Sequence, residues 1–196
     1  MTNNDKKRIK EALSILLNQP LRSIERAGPT IYLEFGELIE IDTIKQDEFK
    51  RALWDENGKG IPTKRMAGRY ALDILCSMRF TCGDDVIFAK SDIFLPTDEQ
   101  LNKPGFVWDT FDWHTYGNTS FDEFVAKHFR SDFNEYVVNN VKVGRFGDLT
   151  ISFENDFALE FFADGSGYSE NWRFGEIDSV KSLIVTSKGI IDESFR

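Results

Sequence analysis

The residues of this 196-residue chain that could do chemistry are two histidines, two cysteines and a scatter of closely spaced carboxylates. A nucleophile needs a base within reach, and zinc needs Cys or His at short ligand spacing. Neither His114 nor His128 has such a neighbour, and Cys76 and Cys82, separated by five residues, fit neither a redox pair nor half of a zinc site. The chain has no Gly-x-Ser-x-Gly elbow, phosphate loop or EF-hand loop, and Gly165-Ser-Gly167 and Gly58-Lys-Gly60 read as turns. Asp109 with Asp112, or Glu154 with Asp156, would serve as acid and base only if their surroundings split their pKa values. No catalytic residue, metal ligand or cofactor is therefore assigned from sequence.

The densest concentration of recognition residues is Phe106–Phe124. There Phe106, Trp108, Phe111, Trp113, Tyr116, Phe121 and Phe124 interleave with Asp109, Asp112, Asp122 and Glu123. Trp and Tyr dominate binding hot spots, and acids around them favour a basic partner. The same residues would suit a linker packed on a sheet or, as a third option, a sugar-binding surface.

These residues must be held by elements that the sequence marks out. Asn4–Leu17 has helical periodicity through Ile9, Leu13 and Leu16 and is stopped by Gln19-Pro20. Ser120-Phe-Asp-Glu123 is a capping-box pattern opening a second helix, with Phe121, Phe124, Val125, His128 and Phe129 on one stripe. A short helix is expected over Asp47–Trp54, with Phe49, Leu53 and Trp54 inward, before a loop rich in breakers at 55–62.

Elsewhere the pattern alternates with the period of half-buried strands, and it does so twice. Ile31–Phe35 corresponds to Leu149–Phe153, and Tyr70–Cys76 to Phe157–Ala163. Leu21 and Ile24 correspond to Val138 and Val141, and Val86–Phe88 to Trp172–Phe174. Asn155-Asp156 reads as a hairpin turn, and Val180–Thr186 as a further strand. The expected fold is α+β, with two similar antiparallel β-meander units packed as one globular body under a few covering helices. On this reading 1–20 is an N-terminal helix and 21–94 a first repeat interrupted by an insertion at 36–69. An aromatic acidic linker and helix occupy 95–135, and 136–196 is the second repeat.

Eighteen Phe imply an aromatic-rich core. The net charge of −9 is concentrated between Phe106 and Asp178, where 14 acidic residues face 5 basic ones; the rest of the chain carries 19 of each sign. That distribution argues against nucleic acid or an anionic membrane as partner. No stretch approaches the roughly 18 apolar residues of a membrane span. Lys6, Lys7, Arg8 and Lys10 are followed by Glu11 and too short an apolar run for a secretory leader, so a cytoplasmic location with reduced thiols is expected.

The second repeat, with its alternating strand, turn, Leu-containing strand and Glu170-Asn-Trp-Arg173 before a last strand, resembles small acidic bacterial immunity proteins of polymorphic and contact-dependent toxin systems. The resemblance covers roughly residues 138–178, with a weaker echo at 21–94, where Asp85-Val-Ile-Phe88 replaces the Trp-Arg pair. It implies a non-enzymatic module that neutralises a basic toxin domain by docking an acidic aromatic face. The residues expected on that face are Trp108, Asp109, Asp112, Trp113, Tyr116, Glu170, Trp172 and Arg173. A structural or regulatory protein, a carboxylate-dependent hydrolase, a carbohydrate-binding protein and a homodimer paired through sheet edges remain the alternatives.

Overall fold

Gly28, at φ +56°, closes a tight turn between two alternating stretches, β1 (Leu21–Ala27) and β2 (Thr30–Ile44). In the computed structural model, which describes residues 1–47, 50–129, 135–179 and 181–194, β3 (Pro62–Ile74) returns antiparallel to β2. Ile31, Leu33, Phe35, Leu72 and Ile74 form the buried face of this meander. A second meander is built the same way from β6 (Val138–Val143), β7 (Leu149–Phe153) and β8 (Phe157–Phe162), turning at Asp156 with φ +63°.

After its third strand each meander sends the chain to the other sheet. Beyond β3, β4 (Ser77–Cys82) pairs with β8, and β5 (Asp85–Ala89) pairs with β4. Beyond β8, β9 (Glu170–Glu176) pairs with β3, followed by β10 (Lys181–Thr186) and β11 (Gly189–Ser194). The result is a six-stranded sheet ordered β1-β2-β3-β9-β10-β11 and a five-stranded sheet ordered β5-β4-β8-β7-β6. Leu72, Asp73 and Ile74 face Phe174, Arg173 and Trp172; Leu159, Glu160 and Phe161 face Phe80, Arg79 and Met78. The α+β architecture of two antiparallel sheets stands, but each sheet is completed by strands from the other half. The register also corrects the expected match of Val86–Phe88 to Trp172–Phe174. The counterpart of Trp172-Arg-Phe174 is Met78-Arg-Phe80, and Val86–Phe88 lies one strand further on, where Phe88 opposes Phe80 as Leu183 opposes Phe174.

The expected insertion is a continuation of the hairpin. β2 and β3 stay paired to Ile44 and Pro62, with a register shift between Phe35 and Leu38. No helix forms over the described part of Asp47–Trp54; Gln46 bridges Ala52, Trp54 bridges Gly60, and Trp54 is 60% exposed rather than inward. Phe49 lies outside the described residues. Turn chemistry overrides the weak apolar period here, because Asp47 accepts from Arg51 N and Asp55 accepts from both Asn57 N and Lys59 N.

Helix α1 (Asn3–Leu13) is capped by Thr2, whose hydroxyl and backbone exchange hydrogen bonds with Asp5. It buries Ile9 and Leu13, and a 3₁₀ turn through Leu16 ends it at Asn18, φ +62°. A one-turn helix, α2 (Asp98–Leu101), precedes α3 (Ser120–His128). Between the sheets lies an aromatic core: Phe80 is fully buried, with the rings of Phe157, Phe88, Phe129, Tyr136 and Phe153 at 5.1–6.2 Å.

Candidate functional site

The acidic aromatic segment is a loop drawn shut at its base. Leu95, Pro96 and Thr97 run beside Asn118, Thr119 and Ser120. Ser120 N donates to Leu95 O at 2.8 Å, Thr97 N to Asn118 O at 3.0 Å, and Ser120 Oγ to Pro96 O at 3.0 Å. These bonds hold the two ends of the loop side by side and fix where it leaves and re-enters the body of the protein. The helix cap falls one residue earlier than expected, because Ser120 is engaged at the base. Thr119 is the cap, its hydroxyl accepting from Asp122 N and donating to Asp122 Oδ2.

Asp122 anchors the loop to the sheet. Arg26 on β1 donates from Nε and Nη2 to Asp122 Oδ1 and Oδ2, both at 2.6 Å, and Gly117 N donates to Oδ2 at 2.9 Å. The Arg26 and Asp122 side chains are 2% and 1% exposed, so this is a desolvated bidentate pair rather than a surface contact. Sequence reading placed Asp122 among the surface acids and passed over Arg26.

Within the loop, Asp112 is spent on its near neighbours in the chain. It accepts from His114 N at 3.0 Å and Thr115 Oγ1 at 2.6 Å, and the Thr115 bond, against the opposing effect of burial, holds its carboxyl below the usual range. Trp113 turns inward, half-buried against Phe94 at 4.8 Å and stacked on His114 at 3.7 Å. Trp108 and Asp109, in contrast, sit on an exposed 3₁₀ turn (Trp108–Thr110). Trp108 is 58% exposed and Val107 53%, with Phe106 behind them against Trp108 at 5.5 Å and Phe111 at 6.1 Å. Asp98, Glu99, Asp109 and Asp112 accompany one cation, Lys103, across 94–113.

The other expected face residues lie elsewhere. Trp172 is fully buried, its Nε1 donating to Gly147 O at 2.8 Å, and belongs to the core rather than to a contact surface. A β-bulge between β9 and β10 puts Glu170 and Arg173 on the same side, where they form a bidentate pair at 2.5 and 2.6 Å. Arg173 opposes Asp73, which opposes Tyr32, which opposes Glu25, so this pair closes a polar row across the outer face of the six-stranded sheet. Tyr116 joins that row's far end, half-buried, with Lys50 Nζ 5.8 Å above its ring. The expected face is therefore divided between the loop and this row.

Beside the row, Glu34 accepts from Arg65 at 2.5 and 3.2 Å and from Gly68 N at 3.2 Å. Burial, then the Asp73 carboxylate, push the Tyr32 phenol up, keeping it a donor. Tyr32, Glu34, Arg65 and Asp73 carry no motif; pairing register and the irregular β2–β3 hairpin assemble them.

Among the described residues no three His, Cys, Asp or Glu gather as a metal would require, and no helix is long and apolar enough to cross a membrane. No protein-family model, curated protein or solved structure matches the chain.

Proposed function

We propose that the chain is a non-enzymatic protein-binding module that docks a basic partner protein through the tip of the acidic aromatic loop, as a toxin-neutralising immunity protein would. The observation that carries this reading is Val107 and Trp108, each more than half exposed at the tip of a loop fastened by buried hydrogen bonds. An exposed Trp on a preorganised loop loses little conformational freedom on binding, which is the usual makeup of a hot spot. The flanking acids supply charge complementarity, which speeds encounter and sets the sign of the partner. Of the carboxylates spaced as an acid–base pair, Asp112 is engaged in holding a turn.

The test is calorimetric titration of the full chain with the product of the adjoining gene, using a poly-lysine peptide as non-specific basic control. One-to-one binding is expected, weakened on the order of 100-fold by Trp108→Ala with unchanged thermal unfolding. Equal affinity of the variant, or binding no tighter than to poly-lysine, overturns the reading.

A further inference from the structure

The outer face of the six-stranded sheet carries a second feature, sharing neither Val107 nor Trp108. The β2–β3 ribbon bends over this face and brings Ile41 and Arg65 above Glu34 and Ala71, with Ile177 completing the wall of a cavity of about 200 Å³. A second cavity of about 200 Å³ adjoins it across Glu25 and Tyr32 and reaches Lys50 and Tyr116. The two cavities are neighbours that share Glu25 and Tyr32 as lining, and each has room for about one sugar-sized ring.

Most of the charges here are paired. Glu34 is matched by Arg65 and Glu25 by Lys50 at 3.3 Å, while Asp73 stands opposite Arg173, which is shared with Glu170. Such pairing leaves little field to select an ion, yet each group keeps directional donors and acceptors. Two tyrosines add flat apolar rings with hydroxyl tips, and Ile41, Ala71 and Ile177 add an apolar bed. Ser23 Oγ, on the same wall, is buried without a hydrogen-bond partner. A wall that alternates apolar patches with many neutralised hydrogen-bonding groups matches a molecule with C–H faces and a hydroxyl rim.

We infer that this cleft binds an uncharged saccharide of one or two rings, with Tyr32 and Tyr116 against the ring faces and Glu25, Glu34, Arg65 and Asp73 on the hydroxyls. Nothing in the sequence marks it, because its residues come from β1, β2, β3 and three loops.

The test is amide NMR of the ¹⁵N-labelled full chain titrated with the methyl glycosides of glucose, galactose and mannose, and with maltose and cellobiose. Arginine methyl ester and citrate are the charged controls. At least one sugar is expected to give saturable shifts confined to the amides around Tyr32, Glu34, Arg65 and Tyr116. Tyr32→Ala should weaken that binding roughly tenfold or more, and Tyr32→Phe, which keeps the ring, should weaken it less. Trp108→Ala should leave it unchanged, which separates this cleft from the docking loop. Absence of saturable shifts with every sugar, or stronger shifts from either charged control, overturns the inference.

Discussion

Arg26 and Asp122, 96 residues apart in sequence, meet through two 2.6 Å hydrogen bonds in the interior of the protein. The pair joins the edge strand of the larger sheet to the first turn of α3, and through Gly117 and Thr119 it fastens the exposed loop.

Removing one partner would leave the other charge buried and uncompensated. Asp122→Asn should cost about 3–5 kcal/mol, measured by urea unfolding, whereas the double variant Arg26→Met/Asp122→Leu should cost less than either single change. If the two single changes simply add, the pair is not the unit described here.

The tryptophans separate by role. Trp172→Phe empties part of a packed site and strands the Gly147 carbonyl, so it should lower stability by about 1–3 kcal/mol and leave partner binding intact. Trp108→Ala should change stability by within about 0.5 kcal/mol. Paired denaturation curves read both values.

Burial pushes the Cys76 thiol up to about 12, from an ordinary 9.0. The folded state then holds a proton that the unfolded state releases as pH passes 9, so this contribution is intact below pH 9. It declines between pH 9 and about 12, by at most about 1.4 kcal/mol per pH unit. Cys76→Ala should flatten the alkaline limb of the stability profile. The native Cys76 thiol should also resist alkylation at pH 8; rapid labelling there would contradict the burial argument.

The Asp112 carboxylate has the opposite sign. Its pKa lies below the ordinary 3.8, so the stabilisation it gives the loop is present above that value and lost as pH falls through the folded one. Thr115→Val removes the largest cause and should bring the Asp112 titration, followed by carboxyl NMR, back toward the ordinary value.

Much of the fold is legible in the sequence because alternation is a local signal: Ile31–Phe35 and Leu149–Phe153 read directly as the strands they are. The capping pattern around Ser120 located the start of α3 to within one residue. Pairing partners are not local. The Met78-Arg-Phe80 counterpart of Trp172-Arg-Phe174 escaped reading because only two residues, Leu75 and Cys76, separate β3 from β4, against seven between β8 and β9. The loop bearing Trp108 was legible from composition, but the inward turn of Trp113 depends on contact with Phe94. The Tyr32 row exists only through cross-strand register, which period-two patterning does not encode.

The exchange of strands between the sheets also sets an order in time. The open edge of β3 is closed by β9, so Ile74 waits for Trp172 to be synthesised before its row of hydrogen bonds is complete. A ribosome-bound first half therefore exposes a bare hydrophobic sheet edge until the last quarter of the chain emerges. Final closure is a late event spanning distant segments, which makes folding slow and fragments ending before β9 prone to aggregate.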